Sequence, residues 1–248
     1  MPIGKGDLVY IDYIGRIKET NEVFDTTIEE EAKKAGIFDE KQVYEPILVA
    51  IGKNWVVEGL EEALIGREAQ VEFEVEVPPE KGFGRRDSKK IVIYNKKRLL
   101  SAGLKEEPRP GSIITVNGLP AIVRTVSGSR VLLDFNPPLA GKTLLYKVHI
   151  RSICKSIPEK IDALVKRRSR ALSEKKGIYR YNAKRKILEF RLGEEEARNM
   201  EIATVKKDIA ADIFEFIPEV RKVRFVEEFI HPAVKEERMK KSKSPIPQ

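Results

Sequence analysis

Apolar positions along this chain change period several times, and each change marks an element. Leu8 to Ile14 is a β-branched and aromatic run flanked by glycines, and Val71 to Val77 alternates apolar residues with four glutamates. Both patterns predict strands, the second half-buried with one solvated face. Val57, Leu60, Ala63 and Leu64 have the spacing of a short amphipathic helix that Gly66 can end, and Glu29 to Ala35 reads as a short surface helix. Further on, residues 91–94, 112–116, 121–126 and 130–135 are short strand patterns. They are separated by Pro110-Gly111, Asn117-Gly118 and Ser127-Gly128, so hairpins are expected. Thr143 to Ile150 is a strand again.

From Lys155 the pattern becomes mixed. Pro158 suits the first turn of a helix carrying Ile161, Leu164 and Val165, followed by the basic Lys166-Arg167-Arg168. Residues 187–192 alternate like a strand, 197–214 carry helix-spaced apolar residues at 202, 205, 209 and 213, and 222–229 read as a second strand. The last residues, 232–248, are mostly Lys, Glu, Ser and Pro and are expected to be disordered.

Charge divides the chain at the same places. Residues 1–85 hold 10 Lys/Arg against 19 Asp/Glu, residues 86–154 hold 13 against 4, and residues 155–248 hold 24 against 16. One acidic and two basic segments support three units. Charged residues make up 35% of the chain, which leans towards a thermophile. No early stretch has the apolar run of a signal peptide or a membrane span, so the expected compartment is cytoplasmic, with no membrane partner. The single cysteine, Cys154, has no partner for a disulfide or a metal pair and is expected to pack as a small hydrophobe. With only His149 and His231 beside it, no metal-ligand cluster is expected, and no nucleotide loop accompanies Gly82-Phe83-Gly84. Neither a metal nor another cofactor is therefore expected.

Four segments occur together: Val23 to Thr27, Ile51 to Leu64, Gly82-Phe83-Gly84, and Pro138 to Tyr146. In this order they resemble the FKBP-type peptidyl-prolyl cis-trans isomerases. The gap between Gly84 and Pro138 is where SlyD-like and long-type archaeal members of that family carry an inserted chaperone domain. The resemblance implies an α+β fold: a curved antiparallel sheet with one short helix, a small β-rich insertion, and an extra C-terminal α+β domain. The implied domains are 1–85 with 138–154, the insertion 86–137, the C-terminal domain 155–231, and the tail 232–248.

It further implies an isomerase pocket walled by Tyr13, Phe24, Asp25, Ile47, Val56, Val57, Leu60, Phe83, Leu139 and Tyr146. There Val57 offers a backbone N–H, Leu60 forms the floor, and Asp25, held by Tyr13, faces the substrate carbonyl. Leu60 stands where drug-binding members have tryptophan, and Phe83 where many have tyrosine. Trp55 falls on the rim, as a substrate contact or as a surface aromatic. On the insertion, Ile91, Ile93, Tyr94, Leu99, Leu100, Ile114, Val116 and Leu119 are the implied client-binding residues. The implied partners are unfolded or proline-containing polypeptides. Two other readings stay open. Basic clusters at 166–170 and 184–186, near Tyr179 and Tyr181, suit weak ribosome or RNA contact, with the isomerase domain as a binding module. An exposed strand edge in the C-terminal module suits a homodimer.

Overall fold

The computed structural model describes residues 2–101, 104, 106–229 and 231. The tail expected over 232–248 lies outside them. In chain order the elements are β1 (Leu8–Ile17), β2 (Val23–Thr26), α1 (Glu29–Ala35), β3 (Ile47–Ala50), α2 (Glu58–Leu64) and β4 (Glu72–Val77). Then come β5 (Ile91–Asn95), α3 (Lys96–Ser101), β6 (Ile113–Val116), β7 (Leu119–Ser127), β8 (Arg130–Asp134) and β9 (Leu144–Ile153). The last are α4 (Ile157–Arg168), α5 (Arg170–Ser173), β10 (Tyr179–Asn182), β11 (Ile187–Leu192), α6 (Glu194–Arg198), α7 (Met200–Phe216) and β12 (Lys222–Glu227). The architecture is α+β, as the sequence pattern predicts.

Contacts divide the chain into two units, one holding residues 11–47 and 52–151, the other 3–10, 48–51 and the chain from 152 onward. The first sheet has the order β2-β1-β9-β4, with β3 also pairing to β1. Its period-2 logic is plain in β4, where Phe73 and Val75 are more buried than Glu72, Glu74 and Glu76. Strand β4 pairs antiparallel to β9, Val75 facing Tyr146.

Within the first unit, residues 91–134 form their own antiparallel sheet, β5-β8-β7-β6. The Asn117-Gly118 turn joins β6 to β7, with positive φ at both residues (52° and 79°), the conformation that a tight hairpin requires. One face of this sheet covers a core of Leu99, Ile114, Ala121, Val123, Val131 and Leu133, with Tyr94 and Phe135 packed against it. Helix α3, absent from the expected pattern, supplies Leu99 to that core.

The base of the sheet is held by polar contacts. Asp134, fully buried at the end of β8, accepts hydrogen bonds from Arg124 (2.8 and 3.0 Å), from the Asn136 backbone (2.9 Å) and side chain (2.7 Å), and from Arg86. Asn136 in turn exchanges bonds with the Asp87 backbone at 2.9 Å each way. Burial opposes the charge, but the Asn136 bonds, Arg124 and Arg86 outweigh it and hold the Asp134 pKa down at about 2.

In the second unit β10-β11-β12 form a small sheet, β10 antiparallel and β12 parallel to β11. The parallel pair needs a crossover, which α6 and α7 provide. The pattern over 197–214 reads as one helix, but the structure divides it at Asn199. That side chain accepts from the backbone N–H groups of Glu201 (2.9 Å) and Ile202 (3.3 Å), capping a new helix. Helix α4 begins with a capping box between Ser156 and Glu159. Its Ile161 and Leu164 are buried, as are Ile209 and Ile213 of α7 and Phe190 of β11. The Phe190 ring stacks on Phe225 at 4.9 Å.

Candidate functional site

A cleft of about 600 Å³ opens in the first unit, lined by Tyr13, Phe24, Asp25, Ile47, Asn54, Trp55, Val56, Val57, Glu58, Leu60, Phe83 and Tyr146. Residues far apart in the chain meet there because three elements deliver them. Tyr13 comes from β1, Phe24 and Asp25 from β2, and Tyr146 from β9. The register between β1 and β2 slips at Gly15/Arg16: Gly15 faces Asp25 and Arg16 faces Val23, so Phe24 is the extra residue of a bulge. A bulge bends the strand and re-aims side chains. The Phe24 ring stands edge-on to Tyr146 (5.8 Å, 86°) and to Phe83 (6.4 Å, 89°), and Tyr13 meets Tyr146 at 5.8 Å.

Gly15 makes that arrangement possible. A Cβ placed there would come within 2.7 Å of Phe24 Cζ and 3.1 Å of Tyr146 Cε1. Since a Cβ at Gly15 would crowd both the Phe24 and the Tyr146 rings, Gly15→Ala should destabilise the fold by about 1–3 kcal/mol, the usual cost of overpacking, and should lower turnover. Denaturant titration and kcat/KM together check this; an unchanged midpoint and rate would mean that the ring yields freely.

Helix α2 provides the floor. Leu60 is 2% exposed, and Val57, just before the helix, accepts from the Leu60 N–H at 3.0 Å. The loop before it, which carries Asn54 and Trp55, is pinned from below: Glu61, 7% exposed, accepts from the backbone N–H of Gly52 and of Asn54, each at 2.9 Å. Glu61 was not among the expected site residues. Its signal was present, because a carboxylate at the 57, 60, 61, 64 face of an amphipathic helix points inward and must find donors.

Electrostatics in the cleft are one-sided. Tyr13 Oη donates to Asp25 Oδ2 at 2.5 Å. Burial, and then the hydrogen bond and charge of Asp25, push the Tyr13 phenol far above its ordinary value; burial and the Asp25 charge do the same for Tyr146. Both phenols therefore stay neutral throughout the physiological range and can donate. Asp25 and Glu58 are the charged residues of the lining, and among the described residues no Lys, Arg or His lines the cleft.

Nine of the ten residues expected in the pocket line this cleft, and Leu139 does not. It sits half-buried in the turn before β9, where its carbonyl accepts from Lys142 N–H at 3.2 Å. Trp55, left between two roles by the sequence, is half-buried and part of the lining. Asn54 and Glu58 join it without having been expected.

On the sheet over 91–134 and its helix α3, two of the eight expected client-binding residues are core: Leu99 is 4% and Ile114 8% exposed. The reason at β6 is register, since a period of 2 makes a one-residue offset exchange the faces. Ile113, at 68%, is the exposed neighbour, while Val116 and Tyr94 pack against the core. Ile93 (62%), Leu119 (61%) and Leu100 (37%) are exposed, and Ile91 is half-buried.

A second cleft, of about 1140 Å³, lies in the other unit, with Tyr10, Cys154, Asp162, Lys175, Tyr179 and Arg180 among its lining. Two of its charged side chains have partners within the fold. Tyr179 Oη donates to Asp162 at 2.8 Å, and Lys175 pairs with Glu195 and Glu196 at 2.9 Å each. Burial, with the Glu159 charge, pushes the Cys154 thiol up to about 11, so it remains protonated and unreactive. Among the described residues no group of three His, Cys, Asp or Glu side chains could hold a metal ion, and no helix is long and apolar enough to cross a membrane.

Residues 2–100 match the family model of the FKBP-type peptidyl-prolyl cis-trans isomerases, and residues 158–230 match a model described as FKBP26_C-terminal. The chain is 41% identical over 151 residues to the short-type peptidyl-prolyl cis-trans isomerase of Methanocaldococcus jannaschii, covering 61% of this chain and 94% of that protein. It is 29% identical over 138 residues to the FKBP-type isomerase SlyD of Treponema pallidum, covering 54% of this chain and 76% of that one. With an FKBP-type 16 kDa isomerase of Escherichia coli it shares 27% identity over 113 residues, 44% of this chain and 74% of the other. The chain belongs to the FKBP-type peptidyl-prolyl cis-trans isomerases.

Proposed function

We propose that Xaa-Pro bonds isomerise in the cleft of the first unit, and that the sheet over 91–134 holds unfolded client chains beside it. The observation that carries the first part is the aromatic enclosure: Phe24, Phe83, Tyr13 and Tyr146 surround a space with a buried Leu60 floor and one carboxylate tied to Tyr13. Rotation about the peptide bond faces a barrier of about 18–20 kcal/mol because the C–N bond has partial double-bond character. No nucleophile is needed to lower it. An apolar cleft weakens the charge-separated resonance form, and a wall shaped for the twisted imide favours that geometry over the planar one. A rate gain of about 10⁵ corresponds to roughly 7 kcal/mol of such selectivity.

Asp25 then has a defined task. Its contact with the Tyr13 O–H fixes both side chains, and its charge faces the space where the carbonyl dipole turns during rotation. Phe24→Ala and Asp25→Ala should each reduce kcat/KM on a short proline peptide by about tenfold or more, in line with the loss of a positioned catalytic group. Circular dichroism should show the fold retained. Wild-type rates in both variants would refute the assignment.

Client holding is supported by the unmatched apolar exposure of the inserted sheet, where Ile93, Ile113 and Leu119 are each more than 60% exposed on a surface otherwise rich in Lys and Arg. Ile93 and Ile113 stand on opposite edge strands of the sheet, β5 and β6, and offer a client two separate apolar contacts. Thus the insertion over 86–137 acts as the holding part, and the cleft as the catalytic part, of a folding helper.

A further inference from the structure

The isomerase cleft has a chemical bias that its aromatic wall does not require. Its two charged lining residues are both carboxylates, Asp25 and Glu58, and its largest ring is the indole of Trp55. Trp55 and Glu58 flank Val56 and Val57, so they belong to the mouth of the pocket, on the stretch that leads into α2. The backbone of this stretch is fixed by the Glu61 bonds to Gly52 and Asn54. A side chain bound there meets a preorganised surface.

We propose that Trp55 and Glu58 form a subsite for a lysine or arginine adjacent to the substrate proline. The proposal rests on the cleft being the site of isomerisation. A cation is attracted to the face of an indole and to a carboxylate, and an aromatic ring beside an acid offers both at once. Glu58 is exposed at the rim, and Lys81, a cation that feels its charge, gives its hydrogen bond to Glu62 at 2.5 Å. Asp25 adds a second negative charge deeper in the cleft, with its contact made to a neutral phenol. A glutamate or aspartate beside the proline meets the opposite situation: two like charges and, among the described residues, no lining cation. The acidic balance of residues 1–85 acts in the same direction at longer range.

The test uses the full chain and a peptide series that varies the residue before the proline and, separately, the residue after it, among Lys, Ala and Glu. At low ionic strength Lys should exceed Glu in kcat/KM by about tenfold at one of the two positions, since exposed cation–ring and ion-pair contacts each give a few-fold effect. In 1 M salt, where the Debye length is about 3 Å, the ratio should shrink to a few-fold. Glu58→Lys should bring Glu peptides level with or above Lys peptides, the ratio being read within the variant. Trp55→Ala should remove the part of the Lys preference that survives in salt.

Glu58 is exposed, so its variants keep the test open should Trp55→Ala fail to fold. Equal rates for Lys, Ala and Glu peptides at both positions, with Phe24→Ala still impaired, would overturn the subsite and leave the cleft assignment standing. Wild-type rates in Phe24→Ala would instead remove the assignment beneath it.

Discussion

Replacement of residues 86–137 by a short Gly/Ser turn is expected to leave turnover of a proline peptide within about twofold of wild type, while turnover of an unfolded protein falls at least about tenfold. Peptide catalysis should survive because every residue lining the cleft precedes 84 or follows 145. The neck is also short: Gly141 N–H donates to the Gly84 carbonyl at 2.8 Å, so a few residues can close it. Catalysis on a protein should suffer because a client held on Ile93, Ile113 and Leu119 has a raised effective concentration at the cleft, which disappears with the tether. Refolding of a proline-limited protein, run beside the peptide assay and a light-scattering test of aggregation, measures the difference. An equal loss on both substrates would mean that the insertion shapes the cleft. No loss on either would end the holding role.

Asp134→Ala is expected to destabilise the first unit by about 3 kcal/mol, near the lower end of the range for breaking a buried charged network, because Arg86 and Arg124 keep partial access to water. Removing the carboxylate leaves Asn136 without two acceptor contacts and separates β8 from Arg86 on the entering chain. The pH dependence follows from the depressed pKa. A folded-state value of about 2 against an ordinary aspartate value of 3.8 makes Asp134 stabilising above the unfolded value, and that contribution is lost as pH falls through the folded one. The lost amount is roughly 2 kcal/mol. Wild type and Asp134→Asn should therefore differ by a constant amount above about pH 5 and converge as pH approaches 2. Denaturant midpoints across that range check it; a difference independent of pH would show that the carboxylate's charge contributes nothing.

Much of this was legible beforehand. Period-2 alternation in β4, the Asn117-Gly118 hairpin and the bounds of α1 follow from local chemistry, because the backbone conformation there is decided within a few residues. Local pattern was less informative where polar residues carry the structure. Helix α3 has a basic first turn and was not expected, and Leu99, expected to meet clients, anchors it in a core. Asn199 breaks an apparently continuous helix through a side-chain cap, and the exposed face of β6 depended on a one-residue register that only its pairing with β7 fixes.

The sequence indicated most of the elements in order and, through its resemblance to the FKBP-type isomerases, nine of the cleft's twelve described lining residues. Tertiary structure decided what depends on approach between distant segments. It placed Trp55 and Glu58 on the cleft and left Leu139 off it. It turned Glu61 inward to hold the loop over Gly52 and Asn54, and it joined Arg86, Arg124, Asn136 and Asp134 at the base of the insertion. A charged side chain looks the same in sequence whether it faces water or a buried donor. Which it meets is settled only when the fold brings the partner within about 3 Å.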